Sequence, residues 1–152
     1  MSSRILPEFE LLVPQSIAEA LQLIEEHGPT VAIMAGGTDL LVEMKKGMTS
    51  EPYVLSLAEI PGLNHIDYND IDGLRIGAMA TLSQMEQAPV VKEKYPALWK
   101  SAMTNGTPQT RNMGTVVGNV LRGSPAGDCC CAFLAYGGSV VLESTRGRRE
   151  VS

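Results

Sequence analysis

Two stretches of small, hydrogen-bonding residues stand out from the rest of the chain. The first is Ala35-Gly36-Gly37-Thr38-Asp39; the second is Thr115-Val116-Val117-Gly118-Asn119, running on through Arg122, Ser124, Pro125 and Asp128. Both have the makings of an anion cradle, because glycines let a backbone come close to a ligand and unpaired N–H groups ahead of a helix attract phosphate oxygens. In the second stretch Thr115 and Ser124 can donate or accept, Asn119 can do both, Asp128 can accept from sugar hydroxyls, and Arg122 can neutralise a phosphate. Asp128 also stands where it can cap the helix that follows. The first stretch is neither a dinucleotide fingerprint nor a Walker A loop, since the next glycine is Gly47 and no Gly-Lys-Ser/Thr follows. For Gly36-Gly37 alone, an ordinary strand-to-helix turn is the competing reading. Two cradles far apart in sequence predict one long ligand, such as a dinucleotide, clamped between two subdomains. Each charge-assisted hydrogen bond is worth about 1.5–3 kcal/mol, so a handful can hold it without a covalent link.

No other residue pattern offers chemistry of its own. The three cysteines, Cys129, Cys130 and Cys131, are consecutive. That spacing suits neither a disulfide nor three ligands on one metal, and it points to packing in a reducing compartment. His27 and His65 have no nucleophile beside them, and Trp99 with Tyr95 suits helix packing better than stacking on a ring. No catalytic residue and no metal ligand is assigned.

The 152 residues carry 12 Lys plus Arg against 17 Asp plus Glu, a formal charge of -5, with 44% hydrophobic and 19% charged residues. That is one globular domain's worth of chain. The acidic balance argues against nucleic acid or an anionic membrane, because only Arg146, Arg148 and Arg149 cluster. The longest nearly apolar run, residues 129–142, is broken by Gly137, Gly138 and Ser139 and is shorter than a spanning helix needs. The N-terminus lacks the basic-then-apolar layout of a secretory signal, so a cytoplasmic location is the default.

The elements that must hold the two cradles follow from capping and periodicity. Ser16-Ile17-Ala18-Glu19 opens a helix with Ile17, Ala20, Leu21 and Ile24 on one face, closed by His27-Gly28-Pro29. A buried strand over residues 30–35 then leads into the glycine turn and a second helix through Leu40, Leu41 and Met44. A further strand over residues 53–57 completes an N-terminal α/β unit, residues 1–61. Residues 62–152 begin with an antiparallel hairpin around Asn69-Asp70-Ile71-Asp72, followed by helices from Thr81 and Pro96. Next comes the polar and glycine-rich stretch 107–128, then an apolar helix, a strand over residues 140–143 and a turn at Ser144-Thr145-Arg146-Gly147. So little returning strand remains after that turn that a longer polypeptide, or a partner, is expected to complete it.

With these motifs in hand, the chain resembles the FAD-binding subunit of molybdenum hydroxylases, the group that includes xanthine dehydrogenase, aerobic carbon monoxide dehydrogenase, nicotinate dehydrogenase and 4-hydroxybenzoyl-CoA reductase. The resemblance rests on three co-linear segments: Ala35-Gly36-Gly37-Thr38-Asp39-Leu40-Leu41, Ile76-Gly77-Ala78-Met79-Ala80-Thr81-Leu82, and Gln109 to Asn119 with Ser124-Pro125 and Asp128. It implies an α+β fold, the two-subdomain FAD-binding domain of the vanillyl-alcohol oxidase (PCMH) type, truncated at its C-terminus. By the same resemblance Ile33, Met34, Ala35, Gly36, Gly37, Thr38, Asp39 and Leu40 form the first pyrophosphate loop. Thr115, Gly118, Asn119, Ser124 and Asp128 form the second flavin-contacting segment. The chain departs from the family pattern at Val117, where a first glycine is usual, and at Arg122, where smaller residues are common. The implied function is an electron-transfer component of a hetero-oligomer. FAD would collect electrons that reach it from a molybdenum-cofactor subunit through the [2Fe-2S] clusters of an iron-sulfur subunit and pass them to an external acceptor. The rivals are a self-contained flavin oxidoreductase of the same fold and an assembly module that has lost FAD.

Overall fold

The computed structural model describes residues 5–124 and 127–152; Pro125 and Ala126 of the second cradle, and residues 1–4, lie outside the described residues. The chain opens with a three-stranded parallel sheet of β1 (Glu10–Leu12), β2 (Val31–Met34) and β3 (Tyr53–Ser56), in the order β1-β3-β2. β3 is central, and its Val54 and Leu55 are fully buried. α1 (Ile17–His27) starts at Ser16, whose hydroxyl accepts the Glu19 N–H at 3.2 Å. The reciprocal half of the capping box goes to Gln15, whose N–H donates to the Glu19 carboxylate at 2.7 Å. Ala20 of α1 joins Leu55 and Ile60 in one core cluster, flanked by Leu12, Leu23, Ile24, Val31, Leu57 and Leu63. β1 was not foreseen: three residues beside Pro14 carry too little alternation to announce a strand. Gly28–Thr30 forms a turn of 3-10 helix, so β2 begins at Val31 and not at residue 30.

Beyond β3, the antiparallel hairpin β4 (Ile66–Asn69) and β5 (Gly73–Ile76) pairs Ile66 with Ile76 and Asn69 with Gly73. The Asn69 side-chain oxygen shapes its turn by accepting the N–H groups of Ile71 and Asp72. A second core cluster follows, built by α3 (Leu82–Gln87), α4 (Pro89–Lys94), α5 (Pro96–Thr104), α7 (Val116–Leu121) and α8 (Asp128–Ala135). Its buried members include Leu82, Met85, Val91, Leu98, Ala102, Val116 and Cys129. α3 carries a complete capping box, in which Thr81 Oγ1 accepts the Gln84 N–H and Gln84 Oε1 accepts the Thr81 N–H.

Much of the polar stretch before Ser124 is helical. It contains α6 (Pro108–Met113) and α7, each opened by a threonine cap: Thr107 accepts the Thr110 N–H, and Thr115 accepts the Gly118 N–H. At six residues each the two helices are too short to give a periodic signal, even though α7 is mostly apolar, but their caps and Pro108 are enough to start them. Asp128 does not cap α8. Gly127 occupies the cap position and Asp128 is the first helical residue, with no side-chain capping bond.

The C-terminal strands β6 (Val140–Ser144) and β7 (Gly147–Val151) form a hairpin whose returning strand pairs along its whole length, from Ser144 with Gly147 to Val140 with Val151. The expected short return therefore closes the hairpin, and among the described residues β6 and β7 pair with each other alone. No helix among the described residues is long and apolar enough to cross a membrane.

Candidate functional site

The first cradle lies on an exposed edge. β2 flanks the sheet, and the Leu57 N–H donates to the Met34 carbonyl at 3.0 Å, so Met34 turns its backbone polar groups towards β3. Its neighbours Ile33 and Ala35 therefore turn theirs to the open side. Ile33 is exposed and the rest of residues 34–38 are half-buried. Gly37 takes a left-handed conformation with φ 69°, its carbonyl accepting the Leu41 N–H at 3.1 Å. The Asp39 carbonyl accepts the Glu43 N–H, which starts α2 (Leu40–Lys46). Among the described residues the N–H groups of Gly36, Gly37, Thr38 and Asp39 donate to no protein acceptor. Four unpaired donors on one bend are what a phosphate group needs.

The second segment comes to meet this bend. A Cβ placed on Gly36 would lie 1.8 Å from the Met113 carbonyl oxygen and 3.0 Å from the Gly114 Cα, and one placed on Gly114 would lie 3.4 Å from Thr38 Oγ1. From the sequence, Gly36 leaves the backbone room to approach a ligand. The structure fills that room with the Met113 backbone, so the glycine serves to seat one segment on the other. From the same point, Leu82 N–H donates to the Gly114 carbonyl and Val116 N–H to the Ala80 carbonyl, both at 2.9 Å, framing a Thr81 to Thr115 bridge. All three sequence motifs thus converge.

Within the second segment, Thr115 is buried and spends a hydroxyl lone pair on its cap, whereas Gly118 is exposed on the first turn of α7. Among the described residues the buried Asn119 Oδ1 has no hydrogen-bond partner; it lies 3.7 Å from where a Gly127 Cβ would stand. Such an orphaned acceptor is costly, about 1–3 kcal/mol, unless something supplies a donor. Ser124 accepts the Gly127 N–H at 2.8 Å through its carbonyl, and Asp128 is exposed at the start of α8. No bond among the described residues ties Asp128 to the first cradle. Arg122, offered above as a phosphate partner, forms an ion pair with Glu43 of α2 instead.

Several residues that frame the site are not among those the sequence assigns to the cofactor. Met113 and Gly114 matter through backbone atoms alone, and Glu43 reads as an ordinary polar position on α2. A neighbouring cleft of about 620 Å³ is lined by Ile60, Asn64, Met79, Thr81, Gln84 and Asn112 among others, none of them among the thirteen residues expected to hold the cofactor. It borders the junction through Thr81 and Asn112, and neither the Asn64 nor the Asn112 amide bonds to protein among the described residues. The cysteines are free. Cys129 is buried and accepts from the Ser101 hydroxyl; burial pushes its thiol up from the ordinary value while that hydrogen bond pulls it down. His27 lies against Tyr53 with ring centroids 4.0 Å apart, and the Trp99 indole N–H donates to the Glu86 carbonyl at 2.8 Å. Among the described residues no group of three or more His, Cys, Asp or Glu is placed to hold a metal.

Known proteins share this fold. Residues 7–152 match the family described as the FAD binding domain in molybdopterin dehydrogenase. The nicotinate dehydrogenase FAD-subunit of Eubacterium barkeri is 35% identical over 145 residues, which are 95% of this chain and 49% of that protein. The carbon monoxide dehydrogenase medium chain of Hydrogenophaga pseudoflava is 33% identical over 95% of this chain and 50% of its own length. Among solved structures, carbon monoxide dehydrogenase from Hydrogenophaga pseudoflava lacking the Mo-pyranopterin moiety superposes with a TM-score of 0.92 at 33% identity, over 97% of this chain and 51% of that chain. Quinoline 2-oxidoreductase from Pseudomonas putida 86 superposes with a TM-score of 0.91 at 25% identity. The chain spans about half the length of the curated relatives it matches. A match over nearly every residue, on a fold whose three motifs meet at one point, places the chain in the family of FAD-binding domains of molybdopterin dehydrogenases.

Proposed function

We propose that the chain holds FAD with the diphosphate seated between the bend at residues 36–39 and the Thr115 to Asn119 turn, and that it is the flavin-binding part of a molybdenum hydroxylase. The observation that carries this is the seating of Gly36 on Met113 and Gly114, which sets four unpaired N–H groups beside the start of α7. The residues fit the cofactor. The Gly36, Gly37, Thr38 and Asp39 N–H groups offer donors to phosphate, and Thr115, Asn119 and Ser124 offer polar groups on the facing segment. Asp128 accepts from a sugar hydroxyl. Ile33, Met34, Ala35 and Leu40 supply the wall around the bend, and Gly118 keeps the facing turn low.

Bound FAD supplies the ability to take up and release electrons singly or in pairs. The chain's own work is to bind and orient it, with residues 1–61 and 62–152 acting as two lobes around it. In the complete assembly, a molybdenum-cofactor subunit and an iron-sulfur subunit deliver the electrons, and an external acceptor removes them. The free thiols suit a reducing cytoplasm.

Thermal unfolding with added flavins tests the binding. FAD at about a hundred times its Kd is expected to stabilise the chain by about 2.7 kcal/mol, a rise in midpoint of roughly 5–10 °C, while riboflavin, which lacks the diphosphate, leaves the midpoint in place. An unchanged midpoint at saturating FAD contradicts the proposal.

A further inference from the structure

We propose that the Glu43 and Arg122 ion pair is a clasp that fixes the spacing of the two anion-binding segments, and so sets FAD affinity without either side chain touching the cofactor; this rests on the flavin reading above. The segments touch first where Gly36 seats on Met113 and Gly114. From that contact two helices leave, α2 on one side and α7 on the other. Glu43 ends the first turn of α2, seven residues beyond Gly36, and Arg122 closes α7, eight residues beyond Gly114. Their pair is the second tie. One point of contact lets two segments rock about it, whereas two points, several residues apart along each segment, fix the angle between them. The N–H groups of residues 36–39 then face the Thr115 turn at one separation, which is the preorganisation a diphosphate site requires.

The environment favours this pair over an ordinary surface contact. The Glu43 side chain is only 20% exposed and that of Arg122 is 48% exposed. A carboxylate so far withdrawn from water depends on its partner more than an exposed one does. Glu43 and Arg122 are positioning residues. Were Arg122 instead a phosphate ligand held in reserve, freeing it from Glu43 would tighten FAD binding, the opposite sign.

The test is the Kd for FAD of the 152-residue chain and its variants, measured by flavin fluorescence at a temperature where circular dichroism shows each variant folded. Glu43→Gln and Arg122→Gln are each expected to raise the Kd about two- to fivefold, the range of one such pair. The double substitution should be no weaker than the singles, because one interaction can be lost only once. The charge-swapped chain, Glu43→Arg with Arg122→Glu, should regain most of the affinity, which a merely structural role of either side chain would not produce. Unchanged affinity in both single variants overturns the clasp, as do additive losses or tighter binding by Glu43→Gln. Wild-type chain that binds no FAD overturns the flavin reading itself, and with it this inference.

Discussion

Gly36→Ala is expected to abolish flavin retention, raising the Kd for FAD by about 100-fold or more, and to destabilise the fold by about 1–3 kcal/mol. The reason is geometric. The added carbon would stand 1.8 Å from the Met113 carbonyl oxygen, a separation atoms do not tolerate, and its neighbours there are backbone atoms that cannot swing aside. The two segments must part by roughly 1 Å, and an error of that size in a preorganised site costs about two orders of magnitude. Gly37→Ala is the informative contrast. Its added carbon meets flexible side chains, Met34 Sδ at 3.1 Å and Leu41 Cδ1 at 3.3 Å, so its penalty comes from the φ of 69° and amounts to about 1–2 kcal/mol. Thermal melting and bound-flavin absorbance on the two variants separate the effects. A Gly36→Ala protein that purifies with full flavin would remove the seating of the segments from the site.

Met85→Ala is expected to cost about 2–5 kcal/mol, the largest loss in stability of any single truncation considered. Met85 has no exposed surface and sits in the cluster with Leu82, Val91, Leu98 and Val116. That cluster carries both Thr81 and Thr115 on its rim, since Leu82 and Val116 bond across to Gly114 and Ala80. Weakening it should therefore loosen FAD as well as the fold. Met48→Ala, at a methionine 68% exposed, should stay within about 0.5 kcal/mol. Chemical denaturation of the two variants decides, and equal midpoints would contradict the placement of the core.

Much of the scaffold was legible because local signals agreed with burial. Ser16 and Thr81 announce their helices by capping, Gly28 and Gly47 close theirs, and the Asn69 turn predicts the hairpin around it. The bend at Gly36-Gly37 and the Thr115 turn were likewise visible as small-residue segments expected to clamp one ligand between them; their direct contact through Gly36 was not. What escaped notice has a common cause. The helices α6 and α7 are six residues each, too short for a periodic pattern and started by caps in a polar context. The reason for Gly36 lies in the Met113 carbonyl, an atom every residue has, so no residue type could reveal it. The pairing of Arg122 with Glu43 joins positions 79 residues apart, beyond any local rule, and it redirects a side chain that sequence reasoning had aimed at phosphate.

The most direct test of the central claim is an amide NMR titration of the isotope-labelled chain with FAD. The N–H signals of Gly36, Gly37, Thr38 and Asp39 should move furthest and together, with those of Val117 and Gly118 following, and riboflavin should leave them still. Signals of residues 36–39 that stay in place while FAD binds, with the changes confined to the cleft around Asn64 and Asn112, would contradict it.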